Sequence, residues 1–139
     1  MESKLNRFID AQSLRFESVI AELRQGRKAG HWMWYIFPQL GGLGYSATSR
    51  KYAIRDEEEA VAYLADSILG NRLIECTSIV LDLDGSTAEE IFGYPDVLKF
   101  HSSLTLFDSI SENESVFSKA LDKYYRGGRD GRTLELLRS

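Results

Sequence analysis

No stretch of this sequence alternates apolar and polar residues for long enough to make a useful half-buried strand. Apolar residues recur instead at intervals of three and four, between residues of the kind that start and stop helices. Asp56 stands before EEEAVAYLADS as an N-cap, with Glu59 three residues on to complete a capping box. Ser86 and Glu89 make a second such pair, ahead of a short helix that Gly93 closes. Pro95 is placed for the first turn of PDVLKFHSSLTLFDSI, and Asp96 suits the positive end of that helix dipole. These signals predict an all-α chain, ~55–70% helical against the usual third.

The remaining elements follow from the same spacing. KLNRFIDAQSLRFESVIAELRQG aligns Leu5, Phe8, Ile9, Phe16, Val19, Ile20 and Leu23 as one helical stripe, stopped by Gly26. Gln12 falls on that apolar face, where it is either a structural anchor or a ligand contact. A short helix is expected over 46–52. Another runs from about Ile68 or Asn71 to Leu83, with Leu69, Leu73, Cys76, Val80 and Leu83 inward. An amphipathic segment around Val116 to Tyr125 ends at Gly127 and Gly128, and TLELLR supplies a last helix. The expectation is a single compact all-α domain, 1–139, of six or seven mostly short helices.

A chain of 139 residues, 43% apolar and 27% charged, can bury a core without metal or disulfide help. The single cysteine, Cys76, lies in the apolar stretch ECTSIVLDL, which favours a buried thiol over a reactive one. With no paired cysteines, signal peptide or long apolar run, a cytoplasmic location without membrane contact is expected. The net charge of −4 divides into +5 over residues 1–55, −12 over 56–117 and +3 over 118–139. Acidic runs are usually solvated helix faces, but two basic ends packed together would favour an anionic ligand.

GHWMWYIFPQLGGLG, residues 30–44, holds both tryptophans and no charge, and reads as neither helix nor strand. Burial of Trp32, Trp34, Phe37 and Leu40 in the core is the ordinary explanation. No single face, however, can bury all six of Trp32 to Phe37, so some must line a groove or pocket. His31, Trp32, Trp34, Tyr35 and Gln39 are therefore candidate ligand contacts. His31 could act as a base or stacking partner, against the ordinary reading of a histidine satisfied by backbone.

Lys99, His101, Ser102 and Thr105 gather a cation, an imidazole and hydroxyls within two turns of one helix. Lys99 and Ser102 have the spacing of a base–nucleophile pair, but no strained elbow or oxyanion loop accompanies them. Hydroxyls bonded back to their own helix are the simpler reading. The loop Arg126 to Arg132 joins three guanidinium groups to flexible backbone, and is the strongest anion-binding signal, with Arg132 the candidate ligand contact. Two histidines without cysteine or carboxylate at ligand spacing make no metal site, and neither metal nor cofactor is expected.

Several segments carry a resemblance: FIDAQ, HWMWYIFPQLGGLGYS, KYAI, EEAVAYLADSILGNRLIEC, EEIFGYPDVLKFHSSLTLF and FSKALDKYYRGGRDGRTLELL. In that order they cover nearly the whole chain, which resembles a bacterial family of domains of unknown function, number eighteen-ten in its series and sometimes mislabelled calpastatin. The resemblance implies a mainly α-helical fold and no established activity. Nothing in these residues supports the protease inhibition that the mislabel implies. Many relatives have arginine where this chain has His101, so an anion-binding role there would need a protonated imidazole.

The function these residues favour is binding of a small anionic, nucleotide-derived ligand in an aromatic pocket, with turnover left open. An alternative is a protein–protein interaction module using exposed tryptophans. Another is an ADP-ribose-directed glycohydrolase, from a thin likeness in D-x-x-K-F-x-x-S. An isoelectric point near 5.2 argues against non-specific nucleic-acid binding.

Overall fold

The computed structural model describes residues 4–138, and close to two thirds of them are helical. The helices are α1 (Asn6–Ser13), α2 (Phe16–Gln25), α3 (Met33–Ile36), α4 (Ala47–Lys51) and α5 (Glu57–Ala65), followed by α6 (Leu69–Asp82), α7 (Ala88–Phe92), α8 (Asp96–Ser109), α9 (Val116–Tyr125) and α10 (Gly131–Arg138). Among the described residues the only extended pairing is one isolated parallel bridge, Leu40 to Ile54. The all-α class stands, but six or seven helices become ten.

The extra helices have physical causes. The first predicted helix breaks at Leu14 and Arg15, where Arg15 leaves helical geometry at φ −124° and Leu14 is 87% exposed. Helix α1 packs on α3 while α2 packs on α6, so each half answers to a different neighbour. The apolar stripe stays in phase across the break and could not reveal it. Met33–Ile36 is a single turn inside the aromatic run.

The capping residues are close to expectation, with two corrections. Asp56 accepts from Glu59 N at 2.9 Å, but the Glu59 carboxylate takes Arg55 N at 2.9 Å and Arg7 at 3.0 Å instead of completing the box. The second box belongs to Thr87 and Glu90, one residue later than Ser86 and Glu89. Both pairs in STAEE fit the S/T-x-x-E pattern, and the one adopted satisfies the amides that open α7.

Helix α8 is the centre of the fold, packed against α3, α5, α7, α9 and α10. Phe100 and residues 102–107 are all buried, so this helix has no solvent face through its middle. The Phe100 ring meets Phe92 at 4.4 Å and Phe37 at 4.9 Å between centroids, which ties α7 and the aromatic run to α8. Hydroxyls inside this apolar packing bond back to their own helix: Ser102 to Leu98 O at 3.1 Å and Thr105 to His101 O at 2.9 Å.

Gln12 is the structural anchor of the two readings. Buried at 1% exposure, its amide donates to Tyr35 O at 2.6 Å and to the Tyr63 hydroxyl at 2.9 Å. Burial raises the Tyr63 hydroxyl far above the ordinary phenol range, keeping it neutral. The buried Cys76 thiol is likewise pushed up to about 12 by burial, which makes it a packing residue and a poor nucleophile.

Candidate ligand-binding cleft

The aromatic run divides its side chains between core and surface. Trp32, Met33, Ile36 and Phe37 are buried, whereas Trp34 and Tyr35 are only partly so. Trp32 belongs to a locked corner. Its indole N–H donates to Glu22 Oε1 at 2.9 Å, and the same oxygen accepts from Ala29 N at 2.6 Å and Gly30 N at 2.8 Å. Burial opposes ionisation of Glu22, but these hydrogen bonds outweigh it and hold the carboxyl below the usual glutamate range. Lys28 closes the corner, pairing with Asp96 at 2.7 Å and donating to Gly30 O at 2.6 Å.

Trp34 has different surroundings. Lys99 Nζ stands 4.5 Å from the centroid of its ring, a cation–π contact. Its Nε1 is buried and has no hydrogen-bond partner, the one such side-chain atom among the described residues. A buried donor without an acceptor costs ~1–3 kcal/mol.

Trp34 lines one lobe of a cleft with Gln39, Gly41, Gly42, Gly44, Ser49 and Arg50. The adjoining lobe is lined by Gln39, Gly44, Ser49, Lys99, Ser102, Asp130 and Arg132, among others. Their volumes are about 160 and 220 Å³, which together reach the lower end of the ~300–1,000 Å³ of small-molecule sites. Glycine is required in the walls of these lobes. A Cβ on Gly44 would stand 2.6 Å from Ser49 Oγ, and Gly42 has φ +101° with Leu136 of α10 against it.

The charges along the cleft are mixed. Arg50 brings positive charge to the first lobe, and Lys99 and Arg132 bring it to the second. Lys99 also pairs with Asp96 at 3.4 Å, and exposed Arg132 with exposed Glu135 at 3.5 Å, a solvated contact of little strength. Asp130 is the carboxylate of the lobe. Its Oδ2 accepts from Thr133 N at 3.0 Å, Thr133 Oγ1 at 2.6 Å and Ser102 Oγ at 3.2 Å, capping α10. Its own N–H donates to Thr105 Oγ1 at 2.9 Å.

Of the residues singled out from the sequence, Trp34, Gln39, Lys99, Ser102 and Arg132 line this cleft. Trp32 is in the core. His31 is exposed and lies with Tyr35 in a separate, shallow groove beside Tyr52, to which Trp34 also contributes. His101 is stacked on Tyr125 at 4.2 Å and bonded to Gly128 O at 2.7 Å, so it holds the loop after α9. No hydrogen bond joins Lys99 to Ser102. The three loop arginines do not converge either, since Arg129 pairs with Asp108 at 3.0 Å away from the cleft lining.

Sequence reasoning missed Asp130, Arg50 and Ser49. A signal existed for Asp130, because an aspartate just ahead of the helix that contains TLELLR stands where an N-cap is preferred. Among the described residues no three histidines, cysteines or acids come together as a metal site, and no helix is long and apolar enough to cross a membrane.

A family model described as "Protein of unknown function (DUF1810)" matches residues 2–137. The chain belongs to this DUF1810 family. It is also similar to the crystal structure of the conserved hypothetical protein Rv1873 from Mycobacterium tuberculosis, at 51% identity and a TM-score of 0.95, over 97% of this chain and 96% of that one. None of the curated proteins matches. The likeness fixes family and fold, while the cleft has to be read from its own chemistry.

Proposed function

We propose that this DUF1810 domain binds a small anionic, nucleotide-derived ligand in the cleft between the aromatic run and α8. The observation that carries this reading is that the hollow lined by Trp34 and the one lined by Lys99, Ser102 and Arg132 share Gln39, Gly44 and Ser49, with the Lys99 ammonium over the Trp34 ring. Trp34 offers aromatic surface. Arg132 and Arg50 offer forked donors that match phosphate, and the Gly41–Gly44 backbone lets a ligand approach closely. Trp32, Tyr35 and His101 serve other contacts and exposed His31 lies in the separate groove, so all four fall outside this reading. Docking of a protein through exposed tryptophans loses its premise, since Trp32 is 2% exposed and Trp34 is partly covered by Lys99.

A thermal-shift screen against nucleotides, ADP-ribose and sugar phosphates tests the proposal. A ligand at ~100 times its Kd adds ~2.7 kcal/mol of stability, several degrees for a chain of this length. The shift should disappear in Trp34→Ala and Lys99→Ala. Absence of any shift across the screen, or an undiminished one in both variants, would reject the cleft as the binding site.

A further inference from the structure

Asp130 is out of place in a site for a simple anion. It shares its lobe with Lys99 and Arg132, yet a carboxylate there repels the very charge those cations attract. Its two oxygens are not equivalent. Oδ2 takes two hydrogen bonds from Thr133 and a share of the Ser102 proton, which Leu98 O also attracts, whereas Oδ1 has no partner among the described residues. The carboxylate is therefore fixed in orientation by the start of α10 and by α8, with one acceptor unused.

We propose that Asp130 is a specificity residue that reads a sugar hydroxyl of the ligand, with Oδ1 as the acceptor. This rests on the proposed function and narrows its ligand class to phosphorylated ribosides. An unused ionised acceptor must meet a donor when a ligand displaces water from the cleft, or the complex suffers its desolvation. A cationic donor would be repelled by Lys99 and Arg132 in the same lobe, which leaves a neutral one. Sugar hydroxyls are such donors, and in a nucleotide they lie between the aromatic base and the phosphate. The cleft has the matching parts: aromatic surface at Trp34, guanidinium groups at Arg50 and Arg132, and Asp130 with the Gln39 carboxamide beside them.

The same fixed geometry supplies a clean variant. Asparagine caps helices about as well as aspartate. In Asp130→Asn the amide oxygen should take the place of Oδ2, where the Thr133 donors hold it, so the NH2 group faces the cleft. The acceptor becomes a donor while α10 keeps its cap. Asp130→Ser also retains a cap but is too short to reach a ligand, and it guards against an effect peculiar to asparagine.

Titration calorimetry with AMP and with 2′,3′-dideoxy-AMP decides the matter. The wild-type protein should prefer AMP, and both variants should weaken AMP by about tenfold or more, as expected for loss of a hydrogen bond to a charged group. Dideoxy-AMP should bind the variants as well as the wild type or more tightly, because the repelling charge is gone. Equal affinity of the wild type for both nucleotides, or equal weakening of both by the variants, overturns the role of Asp130 and leaves the cleft as a nucleotide site. Failure of the wild type to bind either one overturns the role of Asp130, while the proposed function is rejected only when the wider screen of nucleotides, ADP-ribose and sugar phosphates gives no shift either.

Discussion

Trp32 is 2% exposed and donates its indole N–H to Glu22, within a corner where three donors share one carboxylate oxygen. Trp34, two residues on, borders a cleft beneath Lys99 with its indole N–H unpartnered. The same side chain is a satisfied core residue in one place and a partly exposed wall with a buried, unpartnered N–H in the other. The difference arises from the single turn α3, which turns neighbouring residues of one apolar run to opposite sides. A run too aromatic for any one face is resolved by dividing it, half into structure and half into a site.

Stability should separate the two residues most. Trp32→Ala removes a buried indole and strands the Glu22 corner, and is expected to cost ~3–5 kcal/mol in urea unfolding. Trp34→Ala should cost much less, because it removes partly exposed surface along with an unpaired donor. Equal losses for the two would erase the distinction between core and site.

Ligand binding should order them the other way. Lys99→Ala and Arg132→Ala are each expected to weaken AMP by about tenfold or more. Neither should greatly change unfolding, since Lys28 still pairs with Asp96 at 2.7 Å and the Arg132 pair with Glu135 is exposed. Binding unaltered in both variants would move the anion elsewhere.

Parts of both regions were legible from residues alone. The impossibility of burying Trp32 to Phe37 on one face follows from helical and strand geometry, and implied a division without saying which tryptophan goes where. The cap at Asp56 and the start near Pro95 are local signals and could be placed to within a residue. The break after Ser13 could not, because tertiary packing of α1 and α2 on different helices leaves no mark in an in-phase stripe. Lys99, Ser102 and Arg132 were found by residue type. His101 looked the same by type, yet points to Gly128 and Tyr125, a distinction only the fold makes.

Acid should weaken the Trp32 corner. Glu22 has a folded-state pKa below its ordinary value, so its contribution is present above ~4.3 and is lost as pH falls through the lower folded value. The caps Asp56 and Glu90 are shifted in the same direction by their hydrogen bonds to the backbone. Unfolding midpoints of wild type and Glu22→Gln, followed from pH 6 to pH 3, isolate the corner. The two curves should approach each other below about pH 4. A constant gap across that range would mean that the hydrogen bonds to Glu22 do not depend on its charge.

The smallest expected effect probes the cleft without a ligand. Trp34→Phe leaves Trp32 as the sole fluorophore, and Trp32→Phe leaves Trp34. Iodide should quench the Trp34 emission and scarcely touch Trp32, because burial excludes the ion from the corner. Access alone does not set the rate, since Lys99, Arg50 and Arg132 concentrate an anion near the Trp34 ring. Neutral acrylamide should therefore discriminate between the two indoles less than iodide does, and the iodide excess should fall with added salt. Lys99→Ala should lower it further while raising acrylamide quenching, because the ammonium group both attracts the anion and covers the ring. Parallel changes with the two quenchers would show that Lys99 acts only as a cover, and that the cleft lacks the positive field an anionic ligand needs.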